Sequence, residues 1–399
     1  MHCTRKINDD LVWVGADNRR ALLFEAVYSV PLGVSYNSYL LLDKQTVLID
    51  TVDRAVTDIF FENIEYALGG RKLDYLIIQH MEPDHSATLM DVLEHYPECR
   101  VVCNEKIFDM IGAFKRSRVD ALIVSDGDVL DIGRHRLSFI AAPMVHWPEV
   151  MVTYDMTDGT LFSADAFGCF GALNGRIFAD EADFERDYLD EARRYYCNVV
   201  GKYGAQVKTL LNRLSPLDIK TVCPLHGFVW RRDIEKYVNK YLLWSSYTPE
   251  KRGVMIAYAS VYGNTENVVN ALASILCESR VEVDMYDVSV IEPSYIIGAA
   301  FKYSHLVFAA PTYNGGVFVK MDDLLRDITA HGLKDRRISI IDNGSWAPTA
   351  AGQMKETLSS LKGVSFTDKQ ITIRSSADDS LYIDLYELAE EIIATLNKE

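Results

Sequence analysis

The stretch from His80 to His85 (HMEPDH) contains the residues of this chain that are best suited to metal chemistry. It directly follows the apolar run 75–79 (YLIIQ), which predicts a strand. Side chains at the end of a strand are held beside an open edge, where several ligands can converge. The four candidate ligands are His80, Glu82, Asp84 and His85. Nitrogen and oxygen donors without a thiolate suit iron, manganese or zinc, and they disfavour an iron–sulfur cluster or a structural zinc site.

Three later segments each offer one further ligand just after an apolar run: His146, Asp165 and His226. Taken singly, each has a structural explanation, because a lone histidine is often partly buried and an aspartate often caps a helix. Together with the first four they give seven ligands. This is too many for one tetrahedral ion but suits two ions that share a ligand. Asp165 is the natural bridge, since each of its two oxygens can bind one ion.

A second set of polar loops follows predicted strands in the last third of the chain. Small and hydroxyl-bearing residues in the loop 260–265 (SVYGNT) can surround a phosphate at the start of the next helix. The G-x-G-x-x-G pattern is absent here, so the sequence favours a mononucleotide over a dinucleotide. Two further loops offer Tyr313 and Trp346 as stacking partners for a flat ring. The predicted contacts are Ser260, Val261, Tyr262, Gly263, Asn264, Thr265, Pro311, Thr312, Tyr313, Asn314, Gly315, Gly316, Asn343, Gly344, Ser345 and Trp346.

The pattern of apolar runs predicts an α/β protein of two domains. A length of 399 residues exceeds what one hydrophobic core usually organises. Residues 1–248 mix helices with short strands, many of them apolar on both faces, which indicates an α/β/β/α sandwich. The polar stretch 245–253 (SSYTPEKRG) marks a linker. Residues 253–399 alternate strands and helices regularly, which predicts a doubly wound parallel sheet.

The composition narrows the class of protein. The formal net charge of −16 argues against nucleic acid or an anionic membrane as a partner. Seven cysteines, an odd number with no C-x-x-C pair, fit free thiols in a reducing cytoplasm and exclude a rubredoxin-type iron centre within this chain. The first residues contain no apolar signal segment, and no run reaches the roughly 18 apolar residues of a membrane span. We therefore expect a soluble, cytoplasmic protein.

The order and spacing of the seven ligands resemble the metallo-β-lactamase fold, in particular its diiron branch, the flavodiiron proteins (A-type flavoproteins). The three later loops resemble those of flavodoxin and imply FMN as the bound mononucleotide. The resemblance thus implies an N-terminal metallo-β-lactamase-like αββα sandwich, followed by a flavodoxin-like doubly wound parallel sheet. The two resemblances cover nearly the whole chain and occur in the family order.

The resemblance also implies how the ligands divide between two non-haem irons. Glu82 stands where metal-hydrolase members of the superfamily usually carry a histidine, and the harder, more anionic site favours iron over zinc. In some members the histidine that matches His85 points away from the metal, which leaves its ligation open. One iron would take His80, Glu82 and His146, the other Asp84, His85 and His226, with Asp165 bridging.

Further positions near the two sites follow from the same match. Asp50 could orient a ligand imidazole through its free N–H, and a turn or cap role is equally consistent with its position. The pair Tyr195-Tyr196 resembles a family tyrosine pair, and we predict that Tyr196 reaches the substrate pocket. Some flavodiiron proteins have Gly-Trp where this chain has Ala347-Pro348, which leaves the flavin-stacking residue open.

The function that the resemblance implies is reduction of O2 to water, of NO to N2O, or of both, with FMN as electron store and Tyr196 or water as proton relay. Electrons would come from an external donor such as rubredoxin or a reduced flavin or deazaflavin cofactor. The family assembles head-to-tail, which implies a homodimer or a dimer of dimers. The alternatives are a dinuclear zinc hydrolase with a regulatory flavodoxin module and an electron-carrying flavoprotein with a structural metal domain.

Overall fold

The computed structural model describes residues 1–116 and 119–397, and it divides into two compact units. The N-terminal unit contains Met1–Tyr196 and Ala205–Leu242, and the C-terminal unit contains Cys197–Gly204 and the chain from Leu243 onward. The predicted domains, 1–248 and 253–399, stay a prediction about where independently folding parts begin and end. In the described ranges, no helix combines the length and the apolar character needed to cross a lipid bilayer.

The N-terminal unit is built around two sheets. The first has the spatial order Arg5–Lys6, Leu11–Trp13, Tyr39–Leu42, Thr46–Ile49, Tyr75–Ile77, Arg100–Cys103 and Ala121–Ile123. The second has the order Val129–Asp131, Arg136–Ala141, Met151–Asp155, Thr160–Phe162 and Thr221–Cys223. The buried rings of Tyr39 and Phe162, one from each sheet, lie 5.6 Å apart, so the two sheets share an apolar core.

Helices and two short ribbons complete this unit. The ribbons pair Ala16–Asn18 with Val34–Tyr36, and Leu23–Phe24 with Tyr28–Ser29. The helices are Thr57–Leu68, Pro83–Ser86, Leu89–His95, Glu105–Lys115, Phe184–Asp187, Leu189–Tyr195, Gly204–Leu214 and Ile234–Ser245, of which the last two extend past the unit boundaries. The sheets and helices agree with the predicted αββα sandwich.

Strand direction explains why the ligand segments meet. In the second sheet, the strands ending at Phe162 and Cys223 run parallel. The strand ending at Ala141 runs the same way, because it and the strand ending at Phe162 both pair antiparallel with Met151–Asp155. The three ligand segments of this sheet therefore leave from one edge. In the first sheet, Tyr75–Ile77 pairs parallel with both neighbours and leads directly into the segment 80–85.

The C-terminal unit contains the predicted doubly wound sheet. Its parallel strands have the order Val283–Asp287, Lys251–Tyr258, Tyr303–Tyr313 and Arg337–Asn343, and the last of these pairs with both Ser365–Phe366 and Ile371–Ile373. Gly316–Val317 folds back antiparallel on the end of Tyr303–Tyr313. The helices are Asn264–Glu278, Pro293–Lys302, Val319–His331, Ala350–Leu358 and Leu381–Leu396. When the strands are numbered along the chain, their spatial order in the sheet is 2-1-3-4-5, which is the flavodoxin-like order.

Apolar positions at helical and strand spacing form the core of this unit. Ile256 and Val307 come from neighbouring strands, and Leu272 and Leu388 come from two helices on the same face of the sheet. All four are buried. The three strands that end at Tyr258, Tyr313 and Asn343 are parallel neighbours, so the loops that follow them lie along one edge, as in other folds of this order.

Candidate metal centre and flavin cleft

The first ligand group lies at the shared edge of the N-terminal sheets. Nε2 of His80 and Nε2 of His146 each lie 3.1 Å from Oε2 of Glu82. Oδ2 of Asp165 lies 3.3 Å from His80 Nε2 and 3.1 Å from His146 Nε2. One ligand atom of each of the four residues lies within 4.8 Å of the others. This is a compact group of two imidazoles and two carboxylates.

The second ligand group lies on the other side of Asp165. Oδ2 of Asp84 lies 3.3 Å from His85 Nε2 and 3.1 Å from His226 Nε2. Oδ1 of Asp165 lies 3.2 Å from His85 Nε2 and 3.7 Å from His226 Nε2. Each oxygen of Asp165 therefore faces a different group. His85 is fully buried and points into the cluster in this chain.

Several of these buried atoms make no hydrogen bond, which tests whether the group fits a metal. The atoms are both carboxylate oxygens of Asp84, both ring nitrogens of His85, Oδ1 of Asp165 and Nε2 of His226. Buried polar atoms are nearly always paired, because an unpaired one costs about 1–3 kcal/mol. Bound cations would satisfy these converging lone pairs, which have no partner within the protein. The arrangement fits two metal ions with mixed nitrogen and oxygen ligands.

The charges in the cluster are strongly coupled. Burial opposes ionisation of Asp165, but the imidazoles of His85, His146 and His80 outweigh it and hold the pKa of this carboxyl well below its usual range. Burial likewise lowers the pKa of His146, yet Asp165 and Glu82 raise it to about 9 overall. Without metal, protons on the imidazoles compensate the carboxylates. Metal binding would replace these protons, since ligand imidazoles must be neutral.

Two residues that sequence reasoning missed bind the ligand imidazoles through Nδ1, on the side of each ring that faces away from the cluster. His80 Nδ1 lies 2.8 Å from Oε1 of Glu149, which also accepts the backbone N–H of Met81 at 3.1 Å. His226 Nδ1 donates to the carbonyl of Ser35 at 2.7 Å. Each contact occupies Nδ1 and turns Nε2 towards the cluster. Glu149 follows His146 by three residues, but nothing in that spacing connects it to His80.

The contacts of Asp50 differ from the expectation that this residue orients a ligand imidazole directly. Its buried carboxylate accepts the backbone N–H of Gln79 at 2.7 Å and the side-chain Nε2 of Gln79 at 2.9 Å. Burial raises the pKa of Asp50 to about 6 despite these bonds. Asp50 thus fixes the residue before His80, and it acts on the backbone of the ligand segment.

The tyrosine pair at the end of helix Leu189–Tyr195 is completely buried. The ring of Tyr195 lies 5.6 Å from the ring of His226, and the ring of Tyr196 lies 5.0 Å from that of Tyr241. Burial and the carboxylates of Asp165 and Asp84 raise the pKa of Tyr195 well above its usual value. The choice of Tyr196 as the pocket residue stays a prediction, and these contacts make Tyr195 a second candidate.

The turn that follows Asp165 is held by helix Ile234–Ser245. The hydroxyl of Tyr241 accepts the N–H of Phe167 at 2.6 Å, and the hydroxyl of Tyr237 donates to the carbonyl of Gly168 at 3.0 Å. A Cβ on Gly168 would lie 2.4 Å from the ring of Tyr195, so this position has room for glycine alone. The turn is fixed on both sides, which fixes the carboxylate that precedes it.

The ribbon of Leu23–Phe24 and Tyr28–Ser29 contacts both ligand groups. The ring of Phe24 lies 5.1 Å from that of His226. Glu25, at the turn of the ribbon, hydrogen-bonds Glu82, and burial together with the charge of Glu82 raises the pKa of Glu25 to about 8. Sequence reasoning missed Glu25, because it stands in a turn after a two-residue strand and no motif surrounds it.

A third group of acids and a histidine lies elsewhere in the N-terminal unit. His135 Nδ1 lies 2.6 Å from Oδ2 of Asp155, with Asp158 nearby. Arg134 Nη2 lies 2.8 Å from His135 Nε2 and 3.3 Å from Asp158, so a guanidinium already balances the acids. These contacts explain the group as a structural ion-pair network around His135.

The three predicted loops of the C-terminal unit meet around one cleft of about 520 Å³. Fourteen of the sixteen predicted contacts line it, while Gly263 and Gly316 do not. Ala347 and Ser375 line it as well, and Ser375 was not predicted. The residues on its walls are Ser260, Val261, Tyr262, Asn264, Thr265, Pro311, Thr312, Tyr313, Asn314, Gly315, Asn343, Gly344, Ser345, Trp346, Ala347 and Ser375.

The walls of the cleft combine polar groups with aromatic rings, as a flavin mononucleotide requires. Helix Asn264–Glu278 begins at the cleft, where its first N–H groups favour an anion. The hydroxyl oxygen of Ser260 is buried there and makes no hydrogen bond. Tyr313 and Trp346, which also line the cleft, are exposed, Trp346 at 89%. A phosphate would satisfy the polar groups, and a flat ring would cover the aromatic side chains.

The fold and the two sites define a class of protein in which a β-lactamase-like sandwich with paired metal-ligand groups precedes a flavodoxin-like sheet. A family model described as "ODP family beta lactamase" matches residues 34–227. An anaerobic nitric oxide reductase flavorubredoxin from Vibrio vulnificus is 30% identical over 350 residues, which cover 86% of this chain and 70% of that relative. A nitric oxide reductase from Moorella thermoacetica is 29% identical over 89% of this chain and 90% of its own length.

Solved structures give the same result over the whole chain. The flavodiiron protein from Giardia intestinalis superposes with a TM-score of 0.93 at 25% identity, and covers 99% of this chain and 98% of its own. A flavo di-iron protein mutant from Thermotoga maritima gives a TM-score of 0.90 at 26% identity over 98% of both chains. The chain therefore belongs to the flavodiiron protein family, a family of oxidoreductases.

Proposed function

We propose that this protein reduces O2 to water, NO to N2O, or both, at a non-haem diiron centre, with electrons delivered through FMN from an external donor. The observation that carries the proposal is the position of Asp165, whose Oδ2 faces His80 and His146 while Oδ1 faces His85 and His226. A carboxylate between two ligand groups is the arrangement that holds two metal ions together. The relatives named nitric oxide reductase support the reaction class.

We assign the ligands of the two irons as follows. The first iron is held by His80, Glu82 and His146, the second by Asp84, His85 and His226, and Asp165 bridges them. The buried, inward orientation of His85 supports its place in this set. Glu82 supports iron over zinc, because a carboxylate is a harder ligand than the imidazole it replaces.

When bound, the two irons supply electrons and open positions for a small gas, and FMN stores two further electrons. The chain keeps bulk water away from this site by burying the ligand imidazoles under Phe24 and Trp147. Glu149 and the Ser35 carbonyl hold two imidazoles in the required orientation. Tyr195, Tyr196 and Glu25 are the groups that can hold a proton at the pocket, on the phenol oxygens and the carboxyl respectively.

We place FMN in the cleft of the C-terminal unit. Ser260, Asn264 and Thr265 would receive the phosphate at the helix start, and Tyr313 and Trp346 would flank the ring. The remaining loop residues 311–316 and 343–345 would contact the flavin through backbone and small side chains. This chain has Ala347-Pro348 where some flavodiiron proteins have Gly-Trp, so that tryptophan is not available here. Trp346, which directly precedes Ala347, is therefore our choice of stacking residue.

We further propose a head-to-tail homodimer, or a dimer of dimers, in the cytoplasm. Apolar residues are exposed beside both sites: Leu22 and Val27 on the ribbon near the metal ligands, and Val261 and Tyr262 at the flavin cleft. Clustered exposed apolar residues commonly mark contact surfaces. We propose rubredoxin or a reduced flavin or deazaflavin as the donor, and the relatives named flavorubredoxin support the first of these. The cysteines form no disulfides among the described residues, which fits a reducing compartment.

The test combines metal analysis with gas consumption. We expect two irons and one FMN per chain, and consumption of O2 or NO by the flavin-reduced protein. Asp165→Asn should abolish gas consumption while FMN stays bound. Two zincs per chain from a medium that supplies both metals, with hydrolase activity and no gas consumption, would instead establish the zinc hydrolase. Rates with each gas at one fixed donor concentration decide between O2 and NO.

A further inference from the structure

A column of aromatic side chains leads away from the ligand cluster through the N-terminal unit. It begins with Tyr195, whose ring lies 5.6 Å from that of His226. The next residue in the chain, Tyr196, has its ring 5.0 Å from that of Tyr241. All three tyrosines are fully buried. The start of the column is thus in contact with a candidate metal ligand and shielded from solvent.

The column continues along helix Ile234–Ser245 to a surface cleft. The rings of Tyr241 and Tyr237 lie 5.4 Å apart. Tyr237 stacks on Trp230 with centroids 4.4 Å apart and planes 23° from parallel. Trp230 and Tyr237 line a cleft of about 360 Å³ whose rim carries Arg232 and Lys236. Trp230 is only 6% exposed, but it borders this cleft, so the far end of the column meets solvent there.

We propose that this column is an escape route for oxidising equivalents, which carries electrons from Trp230 inward when the flavin has not supplied them. The inference rests on the proposed function, because an oxygen-reducing metal site is the source of the oxidant. Phenol and indole are the side chains most readily oxidised by one electron. Successive rings separated by 4.4–5.6 Å, with one covalent step between Tyr195 and Tyr196, make a continuous route for stepwise electron transfer.

Hydrophobic packing alone does not explain the choice of residues. Phenylalanine would fill the same space, whereas a buried hydroxyl needs a partner to offset its loss of water. The hydroxyl of Tyr237 has one, since it donates to the carbonyl of Gly168 at 3.0 Å. A phenol that loses an electron becomes strongly acidic, and a nearby acceptor retains its proton for the return step. The hydroxyl of Tyr237 is therefore placed for reversible oxidation.

The electrons and protons of the route balance. Reduction of O2 to two waters takes four electrons and four protons, of which the flavin supplies two electrons when it is reduced. When it is oxidised, each missing electron leaves the indole of Trp230, and the indole gives its Nε1 proton to water in the cleft. The electron and a proton from solvent complete the reduction at the metal site. A small thiol in solution returns one electron and one proton to the indole, and two oxidised thiols join as a disulfide.

In the experiment, the full-length protein loaded with iron and FMN reacts with O2 under two conditions. The electron donor is limiting in one and saturating in the other. The variants are Trp230→Phe, which removes the outer end without touching the turn after Asp165, and Tyr237→Phe, which breaks the middle. Tyr154→Phe is the matched control, since Tyr154 is a largely buried tyrosine outside the column. The measurements are radical signals in rapidly frozen samples, oxygen atoms added to each tryptophan by peptide mass spectrometry, and turnovers before inactivation.

We expect the donor-limited wild-type protein to show an indole radical and oxygen added at Trp230, and both should vanish when the donor is saturating. Trp230→Phe should move the radical to tyrosine and shorten the active life several-fold, and Tyr154→Phe should match wild type. The same radical, oxidation pattern and active life in wild type and both column variants would overturn the proposal. Consumption of NO but not of O2 would also overturn it, whereas consumption of neither gas by the loaded protein would overturn the proposed function, which is a different and separately visible result.

Discussion

Glu149 holds His80 from the side that faces away from the ligand cluster. Oε1 of Glu149 lies 2.8 Å from His80 Nδ1, and both side chains are buried. The same oxygen accepts the N–H of Met81, so one carboxylate fixes both the ring and the backbone beside it. The interaction favours the tautomer with a free Nε2 lone pair, which is the atom that points at Glu82 and Asp165.

We predict that Glu149→Gln weakens metal binding at the first ligand group. An amide accepts the His80 proton less strongly, and loss of such a supporting carboxylate commonly costs about 10- to 100-fold in metal affinity. Iron affinity measured in competition with a chelator should fall by this amount, with the fold retained in circular dichroism. Glu94→Gln, on an exposed position of helix Leu89–His95, is the control and should bind iron like wild type. Equal affinities for both variants would contradict the role of Glu149.

Gly168→Ala should disturb the turn that carries Asp165. The added Cβ would lie 2.4 Å from the ring of Tyr195, and overpacking of this kind costs about 1–3 kcal/mol in the free energy of unfolding. We also expect less iron per chain, because the turn must shift. Gly112→Ala is the matched control: Gly112 lies within helix Glu105–Lys115 with open space at its Cβ position, so this change should stabilise by up to about 1 kcal/mol. Denaturant unfolding and metal analysis measure both effects.

The stability of the C-terminal unit should fall on acidification because of His305. Burial, assisted by the charge of Arg337, lowers the pKa of His305 from its usual 6.5 to about 3. Its Nε2 lies 2.8 Å from the hydroxyl of Ser339. The unfolded chain takes up a proton at this residue below pH 6.5 and the folded chain does not. The stabilisation is therefore complete above pH 6.5 and is lost as the pH falls towards 3.

Between pH 7.5 and 4.5 this loss amounts to about 3 kcal/mol. His305→Gln should be less stable at neutral pH, but its free energy of unfolding should fall less steeply with acid. Urea unfolding of the full chain at several pH values measures the slope. His95→Gln in the N-terminal unit is the control and should keep the wild-type slope. A wild-type slope in His305→Gln would show that other groups cause the acid sensitivity.

Ser260→Ala should weaken FMN binding. The hydroxyl oxygen of Ser260 is buried at the start of helix Asn264–Glu278 without a hydrogen bond, so we expect it to bind the flavin phosphate. Hydrogen bonds to charged groups contribute about 1.5–3 kcal/mol, which corresponds to a dissociation constant raised by about 10- to 100-fold. Quenching of flavin fluorescence measures it. Ser274→Ala, on the same helix with its hydroxyl bonded to the carbonyl of Asn270, should bind FMN normally. Unchanged binding by Ser260→Ala would place the phosphate elsewhere.

Local patterns in the sequence were enough to predict the type and order of the chemistry. The ligand residues follow apolar runs that had to be strands, and strand ends of one direction meet at one edge, so the convergence of His80, His146, Asp165 and His226 could be predicted. The loops after Tyr258, Tyr313 and Asn343 could be predicted for the same reason, and the strand–helix alternation predicted the flavodoxin-like order. These features depend on local pattern and on general rules of sheet topology.

The directions of individual side chains, by contrast, could be read from the folded structure alone. Ser35 and His226 are 191 positions apart, and Glu149 and His80 are 69 apart, so no periodicity could pair them. The same holds for Asp50, which binds Gln79, and for Tyr195, whose ring lies beside His226. The spacing of apolar residues indicates which face of a helix or strand is buried. Which atom a buried polar side chain meets depends on packing between segments that are far apart in the chain, and only the folded structure contains that information.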